Sequence, residues 1–252
     1  MMDQDNVETY HQDTFVKEKS SILNNIYDLV ILAAKKHEIS TESVFQTADE
    51  KKRASTLVSK IKNDQDASNI KNRVSYIFMK YQEYPTILDP ILGEVVEPIM
   101  KFMQLYTKKA CKENNHDIPN EVSQLFEILY NLASVRGHKT LVKFFPHEAA
   151  DMEPCVELLH FQDMKLYWNS CMLTLWLSII VLVPFDITTI DSKKEGDNFD
   201  ALIKRIINIS KENIADSGKI RDYSAVLLSK LLTRPDVIKQ GYTDAFLKEL
   251  AD

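Results

Sequence analysis

Five glycines in 252 residues leave this chain few sites for tight turns or phosphate-wrapping loops, while Leu, Ile, Lys, Glu and Asp are plentiful. Hairpin turns and phosphate loops need glycine above other residues, so its scarcity favours long helices joined by short connections. No segment sustains the apolar–polar alternation of a strand. The pattern predicts an all-α chain, long enough to bury a sizeable core in one domain or two.

The periodicity places the helices. After a polar leader over 1–14, residues 15–36 carry Ile22, Ile26, Leu29, Val30 and Ala33 on one helical stripe. A charged stretch follows, with a helix expected at 50–62 and a flexible turn at NDQDASN, 63–69. Val74 opens a further helix that closes before Tyr84-Pro85, and the next begins near Pro98, a first-turn proline, and runs to Cys111. From Pro119 the pattern sharpens: Val122, Leu125, Phe126, Leu129, Leu132 and Ala133 share a face, and Gly137 suits a left-handed C-cap. A short apolar run at 140–145 leads to helices at 156–161 and 164–183, then a polar loop at 186–198. Helices at 199–214, 219–232 and 235–250 complete the reading. Helix and short turn alternate, and no helix can bury its face alone, which is the pattern of stacked helical repeats.

Charge and cysteine usage narrow the function. A net charge of -6 argues against general nucleic-acid binding, which needs a basic surface to displace counterions. Three widely spaced cysteines without a C-x-x-C pair point to a reducing compartment and not to a disulfide framework or zinc finger. The acidic start has neither the basic nor the apolar region of a secretory signal. The apolar run at 171–185 is shorter than the roughly 18 residues of a spanning helix and reads as a buried core helix.

The stretch FFPHEAADMEPC, 144–155, comes closest to chemistry. His147-Glu148-x-x-Asp151 approaches the H-E-x-x-H pattern of zinc proteases, which requires both histidines on one helix face. Asp151 is a poorer ligand, and Pro154 suits the first turn of a helix whose N-cap is Asp151. His147 and Glu148 then precede the helix, and the stretch is a joint. Ser217-Gly218-Lys219 shares three residues with the end of a Walker A loop, but Asn213 stands where its first glycine belongs and Ile220 where Ser or Thr belongs. It reads as a turn between helices. Cys155 and Cys171 lie in apolar helical contexts where a thiol is inert, and Trp168 and Trp176 read as packing residues. Arg234-Pro235-Asp236 repeats the logic of the joint: proline stops one helix and starts the next, while its charged neighbours bond exposed backbone groups.

Three stretches carry a resemblance. The first is Val135-Arg136-Gly137-His138-Lys139 running into Lys143-Phe144-Phe145-Pro146-His147-Glu148-Ala149-Ala150-Asp151-Met152-Glu153-Pro154. The second is Leu175-Trp176-Leu177-Ser178 continuing to Val183-Pro184-Phe185-Asp186. The third is Arg221-Asp222-Tyr223-Ser224-Ala225-Val226-Leu227-Leu228-Ser229 with Thr233-Arg234-Pro235-Asp236-Val237. In order and spacing they resemble the tubulin-specific chaperone D family, also called tubulin-folding cofactor D, over residues 119–250.

The resemblance implies a HEAT/armadillo-like solenoid, a right-handed α-α superhelix, over 15–252. It implies a cytoplasmic, microtubule-associated chaperone that binds β-tubulin after the chaperonin and joins tubulin cofactors C and E in assembling or dismantling the αβ-tubulin dimer. It also implies an Arf-like small GTPase as partner and, within the cofactor complex, stimulation of GTP hydrolysis by tubulin. The chain itself is then no enzyme and needs no cofactor or metal. Family members are several times longer, so a fragment or short paralogue with an incomplete partner surface is expected. Pro146, Asp151, Pro154, Pro184 and Pro235 are expected to set helix boundaries. Arg136, His147, Glu148, Asp151, Asp186, Arg221, Arg234 and Asp236 are expected at turns, in bonds between repeats or against a partner. Two rivals stand beside this reading: a helical-repeat adaptor with another protein partner, and an enzyme using His147 and Cys155.

Overall fold

The computed structural model describes residues 4–57, 61–162, 166–191 and 201–251. Among the described residues there is no strand; the helices are α1 Gln4–Lys36, α2 Thr41–Val44, α3 Ala48–Thr56, α4 Asp64–Lys80, α5 Leu92–Lys112, α6 Asn120–Arg136 and α7 His138–Leu141. They continue as α8 Met152–His160, α9 Tyr167–Ile180, α10 Ile187–Ile190, α11 Leu202–Ile214, α12 Lys219–Leu232, α13 Pro235–Lys239 and α14 Tyr242–Ala251. No helix among them is long and apolar enough to cross a membrane. Most of the polar loop expected at 186–198 lies outside the described residues.

The chain divides into two compact units, Met1–Tyr106 with Ile118–Phe145, and Thr107–Asp117 with Pro146–Asp252. In the first, the α1 stripe Ile22, Ile26, Leu29, Val30 and Ala33 is buried, as are Val122, Leu125, Phe126, Leu129, Leu132 and Ala133 of α6. Three side-chain pairs tie α4 to α6 at one constant separation of 56 residues: Ser68 with Gln124, Lys71 with Glu127, and Ser75 with Asn131. Both residue numbers rise together along these pairs, so the two helices run parallel.

The second unit repeats the device. The Ile220 N–H donates to Tyr167 Oη, 53 residues earlier, and Lys230 Nζ donates to the Ser178 carbonyl, 52 residues earlier, so α9 and α12 are also parallel. Helix α8 packs on both α9 and α11, and α11 packs on α12. Parallel pairing of helices one repeat apart is what stacked helical hairpins produce. The fold is all-α, of the helical-repeat class.

Several local expectations need correction. Residues 4–14, expected as a leader, belong to α1, because a helix already nucleated gains a bond with each added residue and this stretch holds no Gly or Pro. NDQDASN is no flexible turn. Asn63 is the N-cap of α4, its Oδ1 accepting from the Asp66 N–H at 2.9 Å while Asp66 Oδ2 accepts from Lys62 N–H at 3.0 Å. Val74 therefore lies inside α4.

Pro98 lies within α5, not at its start. An interior proline forfeits one helical bond and costs about 3 kcal/mol; burial of the neighbouring Val95, Val96, Ile99 and Met100 offsets that loss. The helix expected over 235–250 breaks at Gln240-Gly241, where Gly241 adopts φ +79° between α13 and α14. Gly137 follows α6 at φ +92°, with its N–H donating to Ala133 O at 3.0 Å.

Candidate functional site

The second and third sequence motifs meet in the second unit. After α9, residues 181–186 run as Val-Leu-Val-Pro-Phe-Asp to α10; after α12, Thr233-Arg234 leads into α13, with Pro235 at its first turn. Proline ends each helix because it has no N–H to continue the ladder. The N–H groups of Val181, Leu182 and Val183 serve the carbonyls of Leu177, Ile179 and Ile180 at the end of α9, and the carbonyls of the following loop need other donors.

Arg234 supplies them. Its Nη1 donates to Val181 O at 2.6 Å and Val183 O at 2.8 Å, and its Nη2 to Phe185 O at 2.6 Å. Nε and Nη2 grip the Asp236 carboxylate at 2.9 and 2.8 Å. All five guanidinium donors are thereby used inside the fold. Asp236 Oδ2 also accepts from the Ile187 N–H at 2.9 Å, and Asp186 caps α10 by accepting from the Thr188 N–H at 2.9 Å. Burial alone would raise the Asp236 pKa, but the bonds from Arg234 and Ile187 hold it below the usual carboxylate range. Lys230, whose ammonium bonds Ser178 O, has its pKa lowered by burial.

This network fixes the backbone and leaves side chains outward. Leu182 is 56% and Phe185 60% exposed. Together with Pro184, Pro235 and Lys230 they border an open groove of about 500 Å³. A rigid backbone presenting apolar side chains beside a lysine suits protein recognition better than bond-breaking chemistry, for which no polar group is poised.

The other expected residues fall elsewhere. Arg136 grips Asp89 in the first unit through Nε–Oδ1 and through Nη2–Oδ2 at 2.9 Å, which lowers the Asp89 pKa. His147 and Glu148 are exposed. Lys108 bonds Glu148 at 3.3 Å and Asp151 at 2.7 Å. Asp151 does occupy the N-cap position of α8, but its side chain caps nothing. A 3-10 turn, Ala149–Asp151, enters the helix directly, and the fully buried carboxylate takes Lys108 as its counter-charge. Arg221 lies exposed on the first turn of α12, 3.9 Å from Asp222. The structure thus gathers Asp186, Arg234 and Asp236, and separately Glu148 with Asp151.

Lys108 and Lys230 carry no mark in the sequence. Lys108 is one of several lysines between 101 and 112, and nothing local identifies it as the partner of a residue 43 positions on.

The chemical readings of the joint find no support in the geometry. Among the described residues no three of His, Cys, Asp or Glu gather to hold a metal. Burial, with a smaller contribution from Asp151, pushes the Cys155 thiol pKa up, and Cys155 donates to Leu173 O at 3.5 Å. That is the reverse of an activated thiol. Burial also pushes Cys171 up to about 12. Trp176 is fully buried, its Nε1 donating to Pro146 O at 2.7 Å, so it ties the first motif to the second. Gly218 has a reason beyond its turn: an added Cβ would stand 2.1 Å from Tyr167 Oη, the group that receives the Ile220 N–H.

Comparison with known proteins agrees with this architecture. Residues 78–252 match the family described as tubulin-specific chaperone D-like, ARM repeat. The chain is 25% identical to a tubulin-specific chaperone D of Dictyostelium discoideum, over 66% of the chain and 17% of that relative. It is 24% identical to a tubulin-folding cofactor D of Schizosaccharomyces pombe, over 73% of the chain and 16% of that relative. The chain thus spans about one sixth of the length of these curated relatives. No solved structure matches it.

Proposed function

From the premise that this chain belongs to the tubulin-specific chaperone D-like ARM-repeat family, we propose that it is a non-catalytic scaffold segment of a cytoplasmic tubulin chaperone, with β-tubulin as its ligand. The observation that carries this is the groove at 181–186, where motif residues hold Leu182 and Phe185 outward on a backbone that Arg234 has locked. Exposed apolar side chains on a rigid frame lose little conformational freedom on binding. Stimulation of GTP hydrolysis by tubulin, and contacts with cofactors C and E and an Arf-like GTPase, belong to the same proposal as properties of the larger assembly. The chemistry is assigned to tubulin: Arg234, the arginine bordering the groove, has no donor left for a phosphate.

The test is co-purification of the purified chain with tubulin at two salt concentrations, beside a Leu182→Asp, Phe185→Asp variant. Retention of β-tubulin by the wild type and its loss in the equally helical variant is the expected result. Retention by both would move the binding surface away from this groove, and retention by neither would sink tubulin binding by this segment. A second reading, an adaptor for another partner, draws on residues 1–77, which lie outside the family match. Enrichment of a tubulin-free set of proteins from extract would favour it.

A further inference from the structure

A cavity of about 780 Å³ lies in the first unit, within the residues 1–77 that the family match leaves out. Lys35 from the last turn of α1 and Lys51, Lys52 and Ser55 from α3 line it together. Ser55 follows Lys51 by four residues and Lys52 by three, which sets all three on one helix face. All four side chains are exposed. Their neighbours are engaged: Lys36 pairs with Asp64 and Glu121, and Arg53 bonds Asn24 and lies 3.8 Å from Glu94. Lys35, Lys51 and Lys52 have no ion pair among the described residues, in a chain whose net charge is -6. Two carboxylates share the lining, but Asp28 is sunk in the wall at 4% exposure and Glu42 stands on α2. Three unpaired cations thus surround a hydroxyl.

The order of residues is a second, independent observation. Lys51-Lys52-Arg53-Ala54-Ser55 places cations two, three and four positions before an exposed serine. Protein kinases select substrates by charge pattern, and a basophilic kinase reads cations at such positions. Such a kinase takes its substrate extended. Helix α3 has nine residues and buries only Glu50, near its start, so its last turn opens at small cost. Thr56 follows the same tract but does not line the cavity.

We infer that Ser55 is a phosphorylation site and that this cavity holds the phosphate. Ser55 Oγ attacks the γ-phosphorus of a nucleoside triphosphate bound to a basophilic serine/threonine kinase. The new Oγ–P bond replaces the bond to the β-phosphate oxygen, the nucleoside diphosphate leaves, and the hydroxyl proton passes to the base of the kinase. The phosphate oxygens then accept from Lys51 and Lys52 and, across the cavity, from Lys35, which ties α3 to α1. The negative C-terminal end of α3 opposes this, but three ammonium groups outweigh a partial charge.

The test incubates the whole chain with ATP and the catalytic subunit of cyclic-AMP-dependent protein kinase, with an acid-directed casein kinase as control. One phosphate at Ser55, mapped by tandem mass spectrometry and lost in Ser55→Ala, is expected from the first kinase alone. By 31P NMR, that phosphate should lose its last proton about 0.5 pH units lower in the folded chain than in the phosphorylated peptide 48–57. Lys35→Met lies outside the recognition tract and should remove part of that difference while phosphorylation proceeds at an unchanged rate. No incorporation, or incorporation at Thr56 in place of Ser55, would overturn the proposal. So would a phosphate at Ser55 that titrates as in the peptide or is indifferent to Lys35→Met.

Discussion

Arg136 and Arg234 each grip an aspartate with two guanidinium nitrogens, but the surroundings differ. Arg136 reaches Asp89 across 47 residues at the surface of the first unit, where the two side chains are 21% and 43% exposed. Arg234 holds an aspartate only two residues away, and the two side chains are 12% and 10% exposed. The Arg136 pair links distant segments, yet water can replace it. The Arg234 pair is local in sequence, but its remaining donors tie carbonyls about 50 residues earlier in the chain. The difference teaches that the weight of an ion pair follows from what else its members satisfy, and how dry they are, more than from its own geometry.

The largest expected break in this comparison is Arg234→Ala. It strands the Asp236 carboxylate and three backbone carbonyls, and should lower unfolding stability by about 3–5 kcal/mol in a denaturant titration. A loss below about 1 kcal/mol would mean that water already serves those carbonyls.

Acid sharpens the comparison next. Asp236 and Asp89 are both held below the usual carboxylate range in the folded chain. Each contributes stability that is present above the unfolded value of about 4 and fades as pH falls through the lower folded value. Stability measured from about pH 5 down to pH 2 should therefore decline, and Asp236→Asn should flatten that decline more than Asp89→Asn. The reverse order would place the stronger coupling at the exposed pair.

The smallest effect belongs to Arg136→Ala, expected at about 0–1 kcal/mol and shrinking as salt is raised. A loss equal to that of Arg234→Ala would erase the distinction between the pairs.

Some of these features were legible in the sequence. The apolar stripes of α1 and α6 and the bounds of α12 followed from periodicity, because a buried helix face must repeat every three or four residues. Pro235 at a first turn, and bonds from Arg234 and Asp236 to backbone groups near helix ends, were legible too. The Asn63 cap was not, since a run of Asn, Asp and Ser serves a helix start and a loop equally well until the following residues find a partner helix. Pro98 inside α5 escaped for a related reason: its helix-breaking cost is local, whereas the burial that outweighs it comes from elsewhere in the chain.

By itself the sequence determined the helical class, the stripes that α1 and α6 bury, and the joints at Pro154 and Pro235, because these depend on residues within a turn or two of one another. Only the tertiary structure decided which helices stack in parallel, that Lys108 answers Asp151, and that Arg234 holds the loop after α9. The partners in these bonds stand about 40 to 55 residues apart, and no local pattern encodes a pairing over that distance. Packing of the apolar faces sets it, and the polar groups then bond whatever packing has brought within reach.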